Sequence, residues 1–168
     1  MNQTLLNSEH TTKYLCRLLA DLLLNNELKL VTAESCTGGM ISVACTDLAG
    51  SSHWFERGFV TYSNEAKIDM LGVDAALIAE HGAVSEAVAR AMAFGAVRHS
   101  AAQVSIAVTG VAGPTGGSAS KPVGTVWFSY CVRGQLHSEI KLFTGDRDAV
   151  RRQTVTHALQ KVLSLLSA

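Results

Sequence analysis

Nothing in these 168 residues approaches the roughly 20 consecutive apolar positions that a bilayer-crossing helix needs. The longest apolar stretch, Leu15 to Leu24, is broken by Arg17 and Asp21, so no membrane partner is expected. An excess of charge of one sign is also lacking. Fourteen basic and fourteen acidic residues cancel, leaving no overall field to draw the chain to nucleic acid. Any anionic ligand has to be held locally. Cysteine is sparse: Cys16, Cys36, Cys45 and Cys131 form no C-x-x-C pair, and buried thiols rather than disulfides are expected. The six histidines stand singly, without H-E-x-x-H or a Cys/His cluster at zinc spacing, so neither metal nor cofactor is expected. Met1 to His10 is polar and carries Glu9, unlike a signal peptide, which places the protein in the cytoplasm.

What is present fits one domain spanning residues 1–168, long enough to bury a substantial core. Leu15, Leu18, Leu19, Leu22 and Leu23 follow the i, i+3, i+4, i+7, i+8 spacing of a helix with one buried face, ending near Asn25 and Asn26. Leu28 to Ala33 is a β-prone run followed by Thr37-Gly38-Gly39, where a helix starts after a tight turn. Phe55 to Tyr62 predicts a second strand. Ser63-Asn64-Glu65 opens a helix through Leu71 that Gly72 stops, and a short helix follows from Asp74 to His81. Ser85 and Glu86 open a longer helix to about His99, small-residue-rich along Ala89, Ala93 and Ala96, and Val104 to Thr109 is a third strand.

Gly110 to Pro122 holds four glycines and both prolines, and reads as a functional loop between β-prone segments. Gly124 to Val132 and Leu136 to Phe143, joined by Arg133-Gly134, predict an antiparallel hairpin. A final helix begins near Asp146 with Val150, Val155, Ala158, Leu159, Val162, Leu163 and Leu166 on one face. The fold class is therefore α/β, a three-layer α/β/α sandwich on a mixed sheet with a C-terminal antiparallel hairpin.

Three junctions carry residues that can do chemistry. In Thr32-Ala33-Glu34-Ser35-Cys36-Thr37-Gly38-Gly39, a hydroxyl and a thiol lie between a strand and a helix start, where free N–H groups favour developing negative charge. Ser35 is a candidate nucleophile, or Ser35 or Thr37 merely caps the helix. Cys36 is a rival nucleophile if the helix terminus lowers its pKa, and otherwise a small buried group. In Tyr62-Ser63-Asn64-Glu65-Ala66-Lys67, Lys67 is a candidate base or a solvated helix lysine. To act as a base near neutral pH it needs its pKa lowered by burial or a nearby positive group, a differential cost on the order of 4 kcal/mol. The loop from Gly110 to Gly117 matches neither a P-loop nor G-x-G-x-x-G, but its glycines let backbone N–H groups approach an oxyanion. Arg147, at the start of the last helix, suits a phosphate or pairs with Asp146 or Asp148, while Arg151 and Arg152 read as solvated or interface-facing.

Together, Thr32 to Gly39, Gly50-Ser51-Ser52, Gly58 to Lys67, His81 to Ser85, Gly110 to Gly117, Lys121 to Trp127 and Gly145 to Arg152 resemble the CinA C-terminal domain family. The resemblance covers nearly the whole chain from about Leu15. It implies the activity of free-standing members, hydrolysis of nicotinamide mononucleotide to nicotinate mononucleotide and ammonia in pyridine nucleotide salvage. It also implies Ser35 as nucleophile working with Tyr62 and Lys67, Thr109, Gly110 and Gly113 near phosphate and ribose, and Arg147 on the phosphate; in the mechanism expected from this, N–H groups around Cys36, Thr37 and Gly38 stabilise the oxyanion. The expected partners are a small nucleotide substrate and a second copy in a symmetric dimer. The large N-terminal domain of longer CinA proteins has no counterpart here, so its pyrophosphatase-type activity is not expected. A non-catalytic nucleotide-binding regulatory module is the alternative from another class.

Overall fold

In the computed structural model, which describes the backbone of residues 3–168 and the side chains of residues 11–168, twelve elements alternate between helix and strand. The polar segment Met1 to His10, on which the leader reading rests, lies outside the described side chains. Helix α1 (Gln3–Asn25) leads into β1 (Leu30–Glu34), followed by α2 (Met40–Thr46), a single 3-10 turn at Ser51–His53, and β2 (Phe55–Val60). Three helices, α3 (Asn64–Leu71), α4 (Ala75–His81) and α5 (Glu86–Arg98), precede β3 (Val104–Gly110). The hairpin β4 (Thr125–Val132) and β5 (Gln135–Leu142) then leads to α6 (Arg147–Leu166).

The helix starts are set locally. Ser63, Asp74, Ser85 and Asp146 each sit in extended backbone, and their side-chain oxygens accept from Ala66, Ala76, Val88 and Ala149 N–H respectively. Gly72, at φ +67°, ends α3 in the left-handed region that other residues avoid. Arg133 and Gly134 both take positive φ, +51° and +84°. Those angles suit the two-residue hairpin turn whose twist matches its flanking strands.

The five strands form one mixed sheet in the order β2-β1-β3-β4-β5. β1 is parallel to both β2 and β3, whereas β4 runs antiparallel to β3 and β5 to β4. Alternate side chains divide the core between two faces. Leu30, Val104, Ile106, Val108 and Phe128 pack with Leu19 and Leu23 of α1, Ile41 of α2 and Leu159 of α6. Val31, Ala33, Phe59 and Ala107 pack with Leu71 of α3, Ile78 of α4 and Val88, Met92 and Ala96 of α5. The result is the predicted three-layer sandwich. Within α1 the buried stripe is Leu15, Cys16, Leu19, Ala20 and Leu23, while Leu18, predicted on that stripe, is 38 % exposed. The predicted Leu15, Leu19 and Leu23 are buried, and Cys16 and Ala20 join them in the stripe. All four cysteines are free and buried, and no helix among the described residues is long and apolar enough to cross a membrane.

Candidate active site

β1 is the central parallel strand, and it delivers Glu34 and then Ser35 to the carboxyl edge of the sheet, between β2 and β3. In open α/β sheets ligands are bound at this edge. Ser35 N–H donates to Val108 O at 3.1 Å, and Thr61 N–H donates to Glu34 O at 2.8 Å, so both neighbouring strands hold the chain as it leaves β1. The turn that follows is built around the buried Glu34 carboxylate. It accepts from Thr37 Oγ1 at 2.7 Å, from Gly39, Ile41 and Ser42 N–H at 3.1, 3.0 and 2.8 Å, and from Ser42 Oγ at 2.7 Å. Helix α2 has no side-chain cap of its own at Gly39. Glu34 supplies that cap from the strand, satisfying the N–H groups that a helix start leaves over and placing negative charge at the positive end of the helix.

Ser35 is 9 % exposed and Lys67 only 1 %. Lys67 rises from the first turn of α3, and its Nζ donates to Ser35 Oγ at 3.2 Å, to Thr61 O at 2.9 Å and to Ser63 O at 3.4 Å. Burial is the main influence on this amine and pulls its pKa below the ordinary 10.5, against the smaller opposing effects of Cys36 and Glu65. The two carbonyls take two N–H bonds, so in the neutral amine the third direction, toward Ser35, carries the lone pair. A buried lysine touching a hydroxyl, with its pKa lowered by that burial, is an arrangement by which an alcohol can be turned into a nucleophile.

Tyr62 is exposed, and its hydroxyl accepts from Arg147 Nη2 at 2.9 Å rather than bonding Lys67 or Ser35. Arg147 also donates through Nη1 to Gly113 O at 2.7 Å, bridging the β2–α3 junction to the glycine-rich loop. It pairs with neither neighbouring aspartate: Asp146 caps α6 and Asp148 holds Arg152 at 2.7 Å. Thr109, at the end of β3, donates to Ala83 O at 2.8 Å, tying the His81 to Ser85 segment to the same edge. Gly110 and Gly113 are required by space: a Cβ would lie 2.7 Å from Thr125 O at the first and 2.5 Å from Val123 Cγ1 at the second.

Cys36 is a poor nucleophile here, because burial pushes its thiol up to about 12. Thr37 is fully buried and its hydroxyl is committed to Glu34. Gly38 N–H closes the turn on Ser35 O at 3.1 Å. Two residues that bear on the site were not singled out in the sequence. Glu34 lies inside the Thr32 to Gly39 motif, just past the predicted strand, with no role of its own assigned to it. Arg151, expected to be solvated or interface-facing, donates through Nε to Cys36 O at 3.1 Å and through Nη2 to Thr37 O at 2.8 Å. The available signal was spacing: Arg147 and Arg151 are one helical turn apart, and Asp148 is spaced to pair with Arg152 instead. A separate cavity of about 500 Å³ opens between α1, α2 and α6, lined by Cys16, Met40, Val43 and Leu48 among others, and includes none of Ser35, Tyr62 and Lys67.

The sequence and the fold of this chain both have counterparts among known proteins. The CinA C-terminal domain profile matches residues 12–166. Over 132 residues, 78 % of this chain and 80 % of the relative, the chain is 56 % identical to the nicotinamide-nucleotide amidohydrolase PncC of Escherichia coli strain K12. It is 53 % identical over 137 residues, 82 % of this chain and 86 % of the relative, to the protein of the same name in Pseudomonas putida. Among solved structures, the competence damage-inducible protein A of Klebsiella pneumoniae superposes with a TM-score of 0.90 at 39 % identity, covering 93 % of this chain and 97 % of that one. With the family profile spanning nearly all of it and relatives above 50 % identity, this chain belongs to the CinA C-terminal domain family.

Proposed function

We propose that the protein hydrolyses the carboxamide of nicotinamide mononucleotide to nicotinate mononucleotide and ammonia, with Ser35 as nucleophile and Lys67 as its base. The observation that carries the reading is the buried 3.2 Å contact between Lys67 Nζ and Ser35 Oγ. Amidohydrolase chemistry on a nicotinamide nucleotide is what the names of the Escherichia coli and Pseudomonas putida relatives describe.

In the first half-reaction, neutral Lys67 takes the Ser35 proton as Oγ attacks the carboxamide carbon. The resulting oxyanion is met by backbone N–H of the Glu34-organised turn. Lys67 then gives that proton to the departing nitrogen, the C–N bond breaks, and ammonia leaves an ester on Ser35. In the second, Lys67 takes a proton from water as the water oxygen adds to the ester carbon. Return of the proton to Ser35 Oγ releases the carboxylate product. Arg147, a guanidinium with no carboxylate partner among the described residues, and the Tyr62 hydroxyl bonded to it hold the phosphate. Thr109, Gly110 and Gly113 line the ribose side.

The alternative, a module that binds the nucleotide without breaking a bond, is separated by Lys67→Ala. Ammonia release by the intact protein that falls by about 10²-fold or more in the variant, with nucleotide binding kept, supports the enzyme. Binding without turnover in the intact protein, unchanged by the substitution, supports the module.

A further inference from the structure

We propose that Arg151 is a positioning residue of this reaction: it holds the carbonyl oxygens of Cys36 and Thr37 from behind and so fixes the turn that carries Ser35. The inference rests on the reading of Ser35 as nucleophile. It starts from the turn's peptide planes. In a trans peptide, C=O and N–H point in opposite directions. The Cys36 carbonyl is drawn to Arg151 Nε at 3.1 Å, which turns the Thr37 N–H away from the guanidinium. The Thr37 carbonyl is drawn to Nη2 at 2.8 Å, which does the same for Gly38 N–H. Gly38 N–H is spent on Ser35 O, and Gly39 N–H on Glu34. Thr37 is fully buried, so the turn two residues after the nucleophile is held through its carbonyls rather than by contact with solvent or ligand.

The clamp has two sides. Glu34 gathers the N–H groups that belong to α2, and Arg151 gathers the carbonyls that precede it, leaving little freedom in the peptides between. Gly38 serves the turn through its backbone, at φ +60°, rather than through space, since a Cβ there would meet Arg151 Nη2 at an ordinary contact distance of 3.4 Å. A guanidinium spans two adjacent carbonyls with a rigid fork, which a single ammonium cannot do. Its charge also polarises both peptides in the sense that makes their N–H groups better donors. Arg147, one turn earlier on α6, reaches Gly113 and Tyr62 instead. The first two turns of one helix thus serve two parts of the site.

A residue that only stapled α6 to the turn would affect folding, but not the balance between substrate affinity and turnover. The test therefore compares Arg151→Met, Arg151→Lys and the intact protein for ammonia release from nicotinamide mononucleotide. It also measures binding of nicotinate mononucleotide and of the 3-aldehyde analogue, which adds Ser35 Oγ to form a tetrahedral adduct. The expected result for Arg151→Met is a kcat lower by about 10²-fold with KM and product binding changed less than about threefold. Aldehyde affinity should fall in step with kcat/KM, and Arg151→Lys should recover about tenfold of the loss. If Arg151→Met does not fold, the same split is read from Arg151→Lys. An active intact protein whose folded variants keep kcat within about twofold, or lose product binding in proportion to kcat, overturns the inference alone. An intact protein that releases no ammonia overturns the reading beneath it.

Discussion

Gly95 is where packing and chemistry are most tightly linked. It lies in α5, and a Cβ built there would be 2.2 Å from the carbonyl oxygen of Leu71, the last residue of α3, and 3.0 Å from its carbonyl carbon. Ordinary contact begins near 3.4 Å, so Gly95→Ala forces the two helices apart by about 1 Å. The obstacle is backbone and cannot rotate away. Overpacking of this kind costs about 3 kcal/mol at the upper end of the observed range. Alanine's better helix propensity returns about 1 kcal/mol. The expected net loss is about 2 kcal/mol, a drop of about 1 M in the urea midpoint for a slope near 2 kcal/mol/M. Lys67 is one turn before Leu71 on the displaced helix, and its 3.2 Å contact with Ser35 depends on that position. A misplacement of about 1 Å at a reacting pair costs about 10²-fold in rate. Urea unfolding followed by circular dichroism, together with ammonia release at a temperature where the variant is folded, checks both numbers. A variant as stable as the parent, or stabilised as helix propensity alone would have it, refutes the close approach. A destabilised variant with full kcat refutes its link to Lys67.

Three further outcomes follow from buried charge. Because burial lowers the pKa of Lys67 and the neutral amine is the active form, kcat/KM should rise with pH along a limb below the ordinary 10.5, and Lys67→Met should abolish that limb. The same lowering means the folded state binds fewer protons than the unfolded chain between the folded value and 10.5. Stability therefore rises with pH through that window, and denaturation at a series of pH values should show a flatter rise in Lys67→Met. Glu34→Gln turns an all-acceptor group into one that presents an NH₂ to the amides of Gly39, Ile41 and Ser42, and should cost about 3 kcal/mol in chemical denaturation. An isostable glutamine variant would contradict the role given to this carboxylate.

The elements legible in the sequence were those fixed by neighbours along the chain. Ser63, Ser85 and Asp146 announced helix starts because a cap acts over three residues, and Arg133-Gly134 announced the hairpin because turn geometry is local. The placement of β1 between β2 and β3 was not readable, since it depends on pairings between Leu30 and both Phe55 and Val104. The site divides the same way. Ser35 stood out at a strand-to-helix junction, but the contact that gives it meaning comes from a residue 32 positions later. Glu34 escaped because a strand-end glutamate gives no sign of which N–H groups it will collect, and Arg151 because its acceptors are backbone carbonyls 114 and 115 positions away. Thr37 offered a hydroxyl to any substrate, and only the fold shows it turned inward to Glu34.

The most direct test of the account is the release of ammonia from nicotinamide mononucleotide by the intact protein and by Ser35→Ala, in metal-free buffer with chelator. The account expects robust release by the intact protein and a loss of at least about 10³-fold in a variant that remains folded and still binds nicotinate mononucleotide. Near-parental activity in folded Ser35→Ala would contradict the nucleophile, and no release by the folded intact protein would contradict the substrate.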